Sequence, residues 1–264
     1  MRIGIFGAGA LGRAIASRLV LGGIEADDLA ICYRGSPTTL CELERTGLAH
    51  LVRTPASVIN RSEILLYLVR PQHYMAIAEY CVPRDVLFVS FLAGVPLERM
   101  PVQVPEAQRV RVMTSAPDTL MHGKAIAAVY PAVNPELHAM LELLGARVFL
   151  LRQQSDIHAF TALGPCLPMV LTLWEGMGRE VEERQILNLA ERFGLRGYLA
   201  ILKWAREAQP RGLTGKELDL FIGQVTTPGG VTEAIIAAMR QHQSLGDSLC
   251  RGIDRSIELS LTTG

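Results

Sequence analysis

Gly7, Gly9 and Gly12 sit in the run Phe6-Gly7-Ala8-Gly9-Ala10-Leu11-Gly12-Arg13, a GxGxxG spacing that suits a bound anion. Gly7 allows a tight turn, Gly9 has no Cβ and lets the backbone approach a group as bulky as a pyrophosphate, and Gly12 lets the following helix pack close to the preceding strand. The unpaired N–H groups at the start of that helix then face the anion. The glycine pattern alone is weak. Its force comes from the apolar strand at 2–6 before it and the Ala-rich amphipathic stretch after it. The turn, with Ala8, Ala10 and Leu11 in it, is therefore assigned to a dinucleotide.

The end of the second apolar strand discriminates between dinucleotides. An NAD site places an acid there for the ribose 2′-hydroxyl, whereas an NADP site places arginine or small polar groups. This chain has Cys32-Tyr33-Arg34-Gly35-Ser36 and no acid until Glu42. Arg34 can pair with a 2′-phosphate and stack on the adenine, and the Ser36 hydroxyl can donate to the same group. The plain alternative is that Arg34 is a solvated loop residue. The residue types favour NADPH over NADH.

These residues need a scaffold, and the chain has the length for one. It has 264 residues and a formal net charge of zero, so charge gives no reason to expect nucleic acid or an anionic membrane as partner. Its five cysteines are scattered without a CxxC pair, and its six histidines lack metal-ligand spacing, so neither disulfides nor a metal is expected. The longest apolar run, 162–174, contains two prolines and is too short to span a bilayer; it reads as a buried helix. A strand beginning at residue 2 argues against a signal peptide, and the expected location is cytoplasmic.

Strand-like runs at 2–6, 29–33, 64–69, 86–91, 109–113, 125–130 and 147–151 alternate with helical segments at 11–21, 37–45, 74–80 and 135–144. Such alternation predicts a doubly wound, mostly parallel sheet. After residue 152 strand signals stop. Helices are predicted at 156–177, 183–193, 198–207, 215–224, 232–242 and 244–259. The predicted architecture is α/β: an N-terminal Rossmann-type domain over 1–152 and an all-helical substrate and dimerisation domain over 153–264.

Four segments resemble the pyrroline-5-carboxylate reductases. Leu66-Tyr-Leu-Val69-Arg70-Pro71-Gln72 is similar to that family's Val-Lys-Pro-Gln strand end, with arginine for lysine. Ser90-Phe-Leu-Ala93-Gly94-Val95 resembles Ser-x-x-Ala-Gly-Val/Ile, and Arg111-Val-Met113-Thr114-Ser115-Ala-Pro117 occupies the place of Arg-x-Met-Pro-Asn-x-Pro. Val225-Thr-Thr227-Pro228-Gly229-Gly230-Val231-Thr232 is similar to the most specific signature, Val-Thr-Ser-Pro-Gly-Gly-x-Thr. The resemblance implies NADPH-dependent reduction of a cyclic imino acid, 1-pyrroline-5-carboxylate to proline. It adds Val69, Arg70, Pro71, Ala93, Gly94, Thr114 and Ser115 to the cofactor site, and Gly229, Gly230, Val231, Thr232, Gly164 and Pro165 to the substrate site. It also implies a homodimer built from the C-terminal helices, with a higher ring of dimers left open.

The chemistry accounts for the fourth motif. Pro228-Gly229-Gly230 ahead of a helix near Thr232 exposes consecutive N–H groups, an anion nest suited to a carboxylate. Thr232 then presents a hydroxyl to an imine nitrogen as it becomes an amine, which makes it the catalytic candidate. Without the resemblance, a Pro-Gly turn with a threonine cap is the lesser alternative for this segment.

Two departures bear on the substrate. Where the family has Ser-Gly-Ser-Gly-Pro-Ala-Tyr, this chain has Thr161-Ala162-Leu163-Gly164-Pro165-Cys166-Leu167, and Pro-Asn becomes Thr114-Ser115. Leu163 and Leu167 predict a more apolar pocket rim. An oxidoreductase on another imine or carbonyl, and a non-catalytic NADP-binding homologue, therefore stay open. A hydroxyacid dehydrogenase of the 6-phosphogluconate type is disfavoured, because 156–182 lacks the lysine those enzymes carry. His158 is read as a surface or interface residue before a general acid. The apolar faces around Ile186, Leu189, Leu199, Ile201, Ile235 and Met239 exceed what one small helical domain readily covers and point to the dimer.

Overall fold

The computed structural model describes residues 1–132, 134–210, 212–213 and 215–262. The chain divides into two compact units, Met1–Leu150 and Leu151–Thr262.

The first unit carries strands β1 (Ile3–Phe6), β2 (Leu29–Cys32), β3 (Ile64–Tyr67), β4 (Leu87–Ser90), β5 (Arg109–Thr114), β6 (Ala125–Tyr130) and β7 (Ala146–Leu150), joined in one sheet of order β2-β1-β3-β4-β5-β6-β7. Its helices are α1 (Ala10–Leu21), α2 (Pro37–Arg45), α3 (Pro55–Arg61), α4 (Pro117–Met121) and α5 (Pro135–Leu143). Every residue of β1 to β4 is buried. That is why these strands read as unbroken apolar runs: a parallel sheet is covered on both faces. Ile3, Ile5, Ile31, Leu66 and Val89 pack with Ile15, Leu19 and Met140 in one cluster. Phe6, Leu65, Tyr67 and Phe88 pack with Val58, Ile59 and Ile77 in another.

Strands β1 to β5 pair in parallel, with Cys32 beside Phe6, Phe6 beside Tyr67, Tyr67 beside Ser90, and Ser90 beside Arg111. Their carboxyl ends thus share one edge, and strand order reverses next to β1, where α/β sheets bind ligands. Pairing of β5 with β6 is antiparallel. Between them the chain carries only the five-residue α4 with its turns, too little for the crossover a parallel pair needs.

Two local readings are corrected. Helix α3, absent from the sequence reading, starts at Pro55 after Thr54, whose hydroxyl accepts from Ser57 N at 3.3 Å. The helix expected at 74–80 is a 3-10 segment, Pro71–Glu79, broken at His73. Tyr67, on the neighbouring strand end, pins it by accepting from Ile77 N at 3.1 Å and donating to Tyr74 O at 2.9 Å.

The second unit is helical: α6 (Asp156–Leu163), α7 (Leu167–Gly176), α8 (Glu183–Arg192), α9 (Tyr198–Ala208), α10 (Gly215–Val225), α11 (Val231–Arg240) and α12 (Leu245–Thr262). The single helix expected over 156–177 is two. Gly164 adopts φ −114° and ψ −94°, and Pro165 follows with no N–H to donate. Tyr198 Oη donates to the Leu163 carbonyl at this break, at 2.7 Å. No single helix among the described residues is long and apolar enough to cross a membrane; α6 and α7 pass only as a pair bent by 41°.

The apolar faces singled out for a dimer are consumed by the chain's own core. Ile186, Leu189, Ile201, Ile235 and Met239 are buried, and only Leu199 of that set is exposed, at 68%.

Candidate functional site

The glycine turn is built by close packing. Gly7 has φ +122°, a conformation that favours glycine, and a Cβ there would lie 2.7 Å from the Leu68 carbonyl carbon and 3.0 Å from Val69 N. The Gly7 N–H donates to Cys32 O at 3.0 Å, tying the turn to the end of β2. A Cβ on Gly12 would meet Gly7 O at 2.1 Å. Around Gly9 the situation is the reverse: a Cβ would find nothing within 4 Å. Gly9 is the N-cap of α1, which has no side-chain cap and no acid in its first turn. Ala10 is exposed and Ala8 buried, with Leu11 half-buried. Open space in front of an uncapped helix N-terminus fits a dinucleotide pyrophosphate.

Arg34 and Ser36 follow β2, and both are exposed; Ser36 is the N-cap of α2 but its hydroxyl makes no cap bond. The first acid beyond them, Glu42, is already engaged. It accepts from Arg45 at 2.8 Å and from Arg13 at 3.5 Å, and the Arg45 guanidinium holds its carboxyl below the usual range. Arg13 also donates to Ala8 O at 2.9 Å, within the glycine turn.

The remaining cofactor candidates lie at the same sheet edge. Val69 and Pro71 are half-buried after β3, with Arg70 exposed between them. Ala93 is exposed after β4, and buried Gly94 takes φ +71°. Thr114 and Ser115 end β5 with their hydroxyls committed inside the sheet. Thr114 Oγ1 donates to Ile126 O at 3.1 Å, while Ser115 Oγ accepts from Ile126 N at 3.1 Å and meets Thr119 Oγ1 at 2.6 Å.

Arg111, in the same motif, is a residue whose burial the sequence did not announce. It is 2% exposed, and its Nε and Nη2 have no hydrogen-bond partner among the described residues. Burial pushes its guanidinium down to about 10, against the opposing pull of Glu98.

In the second unit, the structure brings Thr232 to the α6–α7 break. Thr232 Oγ1 lies 3.2 Å from Cys166 Sγ, the residue after Gly164 and Pro165. Burial pushes the Cys166 thiol up to about 11. Gly229 and Gly230 lead into α11 as expected, with Gly229 at φ +70° and Gly230 as the N-cap. Their N–H groups are, however, already used. Gly229 N donates to Glu233 Oε2 at 2.6 Å and Gly230 N to Thr227 O at 2.8 Å. Glu233 reaches back across the helix start much as a capping-box glutamate does. The groups at the head of α11 with no carbonyl inside the helix to bond are the N–H groups of Val231, Thr232 and Glu233.

Gly229 and Gly230 border a cavity of about 680 Å³ whose wall includes Glu233, Arg251, Arg255 and Glu258. Arg255 Nε donates to Gly229 O at 2.8 Å, and Arg255 and Arg251 both pair with Glu258, at 3.0 and 3.4 Å. Leu163 and Leu167 are not on a pocket rim: both are fully buried in the core. His158 Nδ1 lies 2.9 Å from Ser256 Oγ on α12.

Comparison with known proteins places this geometry. Residues 2–94 match the family described as NADP oxidoreductase coenzyme F420-dependent. The chain is 25% identical over 272 residues to a pyrroline-5-carboxylate reductase of Synechocystis, covering 93% of this chain and 98% of that protein. Its fold matches the pyrroline-5-carboxylate reductase of Coxiella burnetii with a TM-score of 0.62 at 17% identity, over 98% of each chain. It also matches that of Plasmodium falciparum, solved with NADP bound, with a TM-score of 0.58 at 15% identity over 98% of each chain. Over nearly its whole length the chain is thus similar to pyrroline-5-carboxylate reductases, and these matches support an NAD(P)-dependent oxidoreductase.

Proposed function

We propose that this chain uses NADPH to reduce the C=N bond of a cyclic imino acid, with 1-pyrroline-5-carboxylate as the first substrate to test. The observation that carries the reading is Thr232, whose hydroxyl stands in the first turn of α11 beside the Gly164-Pro165 break. Gly7 to Gly12 would hold the cofactor's pyrophosphate, and Arg34 and Ser36 would hold its 2′-phosphate. Engagement of Glu42 by Arg13 and Arg45 supports NADPH over NADH, because it occupies the nearest acid able to hold a ribose 2′-hydroxyl. Val69, Arg70, Pro71, Ala93 and Gly94 line the path toward the nicotinamide, with Thr114 and Ser115 contributing backbone. Bound there, the reduced dinucleotide supplies a hydride to the imine carbon.

The chain's own residues do the rest. The Thr232 hydroxyl donates a hydrogen bond to the substrate nitrogen; as the hydride adds to carbon the C=N π pair moves to that nitrogen, which takes a proton that comes from water through the hydroxyl, and the hydrogen bond strengthens as the amine forms. The substrate carboxylate is received by the free N–H groups of Val231 and Thr232, with Gly229 and Gly230 shaping the turn, because their own N–H groups are bonded within the chain. A homodimer through the C-terminal helices accompanies this reading, supported by the exposed apolar side chains of Leu199, Leu220 and Leu261. Five free cysteines suit a reducing cytoplasm.

Glu233 favours a second reading. A carboxylate already bound at the head of α11 opposes an incoming one, which suits an imine that carries none. NADPH oxidation followed with five- and six-membered cyclic imines, each with and without the carboxylate, separates the two. The first reading expects the carboxylated imines to have the higher kcat/KM, and the second expects the uncharged ones to. Turnover of none of them contradicts both.

A further inference from the structure

Cys166 stands where the family pattern has alanine, and it lies against the hydroxyl that the proposed chemistry uses. Its backbone is bracketed on both sides: its N–H donates to Thr161 O at 3.2 Å and its carbonyl accepts from Val170 N at 3.2 Å. The side chain is 7% exposed. A thiol so buried keeps its proton at neutral pH, and either group of the pair can donate; with S–H as donor and Thr232 Oγ1 as acceptor, the hydroxyl proton is left for another partner.

Two mid-helix threonines show what a hydroxyl does without such a partner. Thr161 donates to Ile157 O at 2.7 Å and Thr172 to Pro168 O at 2.9 Å, each the carbonyl four residues back. That back-bonding is the ordinary fate of a threonine in a helix, and it consumes the hydroxyl proton. Thr232 instead meets a side chain from a different helix junction.

We infer that Cys166 is a positioning residue for Thr232: its S–H donates to Thr232 Oγ1 and leaves the hydroxyl proton to the substrate nitrogen. The role rests on the imine-reducing reading above. It involves no covalent chemistry at sulfur. A donor on one side of a hydroxyl also polarises it and strengthens its donation on the other.

The contact itself can be measured without turnover. In the full-length protein, the infrared difference spectrum of parent minus Cys166→Ala isolates the Cys166 S–H stretch. The expected band lies below that of a free thiol and moves up in Thr232→Val. A band at the free-thiol position, or one unchanged in Thr232→Val, overturns the inference whatever the substrate proves to be.

Kinetics test its consequence on whichever cyclic imine the parent reduces. Cys166→Ala is expected to lower kcat about fivefold to fiftyfold, with KM and the NADPH Kd changed by less than about twofold. Cys166→Ser, which restores a donor, is expected to recover kcat to within about threefold of the parent. Adding Cys166→Ala to Thr232→Val should cost nothing further, because the two act as one unit. Parental kcat in Cys166→Ala, no recovery in Cys166→Ser, or additive losses in the double variant would each contradict the role. Parental turnover in Thr232→Val would instead sink the reading it rests on, so the two failures are distinguishable.

Discussion

Arg111 combines near-complete burial with two guanidinium nitrogens that lack partners among the described residues, a costly arrangement for a structural side chain. Each buried donor left unsatisfied costs about 1–3 kcal/mol. Arg111→Met keeps the length of the side chain and removes both donors, so it is expected to raise the unfolding free energy by about 1–3 kcal/mol. Urea denaturation checks this, and a lower midpoint would mean that these nitrogens are paired in solution. Arg34 is the opposite case, an exposed cation proposed to hold the 2′-phosphate of the cofactor. Arg34→Ala is expected to weaken NADPH binding about tenfold to a hundredfold and leave NADH nearly unchanged. Calorimetric titration with each cofactor decides it. Equal affinity of the parent for both would remove the assignment of Arg34 and Ser36.

At the scale of the element, the turn between β1 and α1 separates two uses of glycine. A Cβ at Gly12 would collide with Gly7 O, whereas a Cβ at Gly9 would meet nothing within 4 Å among the described residues. Gly12→Ala is therefore expected to destabilise the fold. Gly9→Val, at φ −66°, is expected to leave folding intact and abolish dinucleotide binding, because its branched carbons fill the space before the helix start. Circular dichroism with calorimetry on the same sample tests both, and unimpaired binding by folded Gly9→Val would place the dinucleotide elsewhere. The sequence made this turn legible because all three glycines follow a wholly buried strand. It hid the occupant of the second turn. Glu233 on Gly229 N–H is a contact between residues four apart, and a first-turn glutamate can equally point to solvent. The α6–α7 break was hidden in a similar way: its apolar run continues through Gly164-Pro165, so composition suggested one helix and the rim position of Leu163 and Leu167 failed with it.

For the whole molecule, the seven strands and the change from alternating to helical segments could be read in advance because buried parallel strands leave continuous apolar runs. The reversal of β6 could not, since an apolar run carries no direction; only the short connection through α4 sets it. Burial in both units also fixes a pH response. It pushes the Cys32 thiol up to about 12 and the Cys166 thiol up to about 11. The native chain thus holds these protons to higher pH than the unfolded chain does, so stability is full below about pH 8.5 and falls as pH rises from there toward the native values. The urea midpoint is expected to decline over that alkaline window and to decline less in a Cys32→Ala, Cys166→Ala double variant. A flat profile in the parent would show that the thiols are not buried.

The central claim is that the Thr232 hydroxyl serves the nitrogen of a C=N bond reduced by NADPH, and steady-state reduction of 1-pyrroline-5-carboxylate by parent and Thr232→Val tests it most directly. Valine is nearly isosteric and lacks only the hydroxyl, so the NADPH Kd should hold while kcat falls about tenfold to a thousandfold. Reduction by Thr232→Val at the parental rate, with the fold and cofactor affinity intact, would contradict the account.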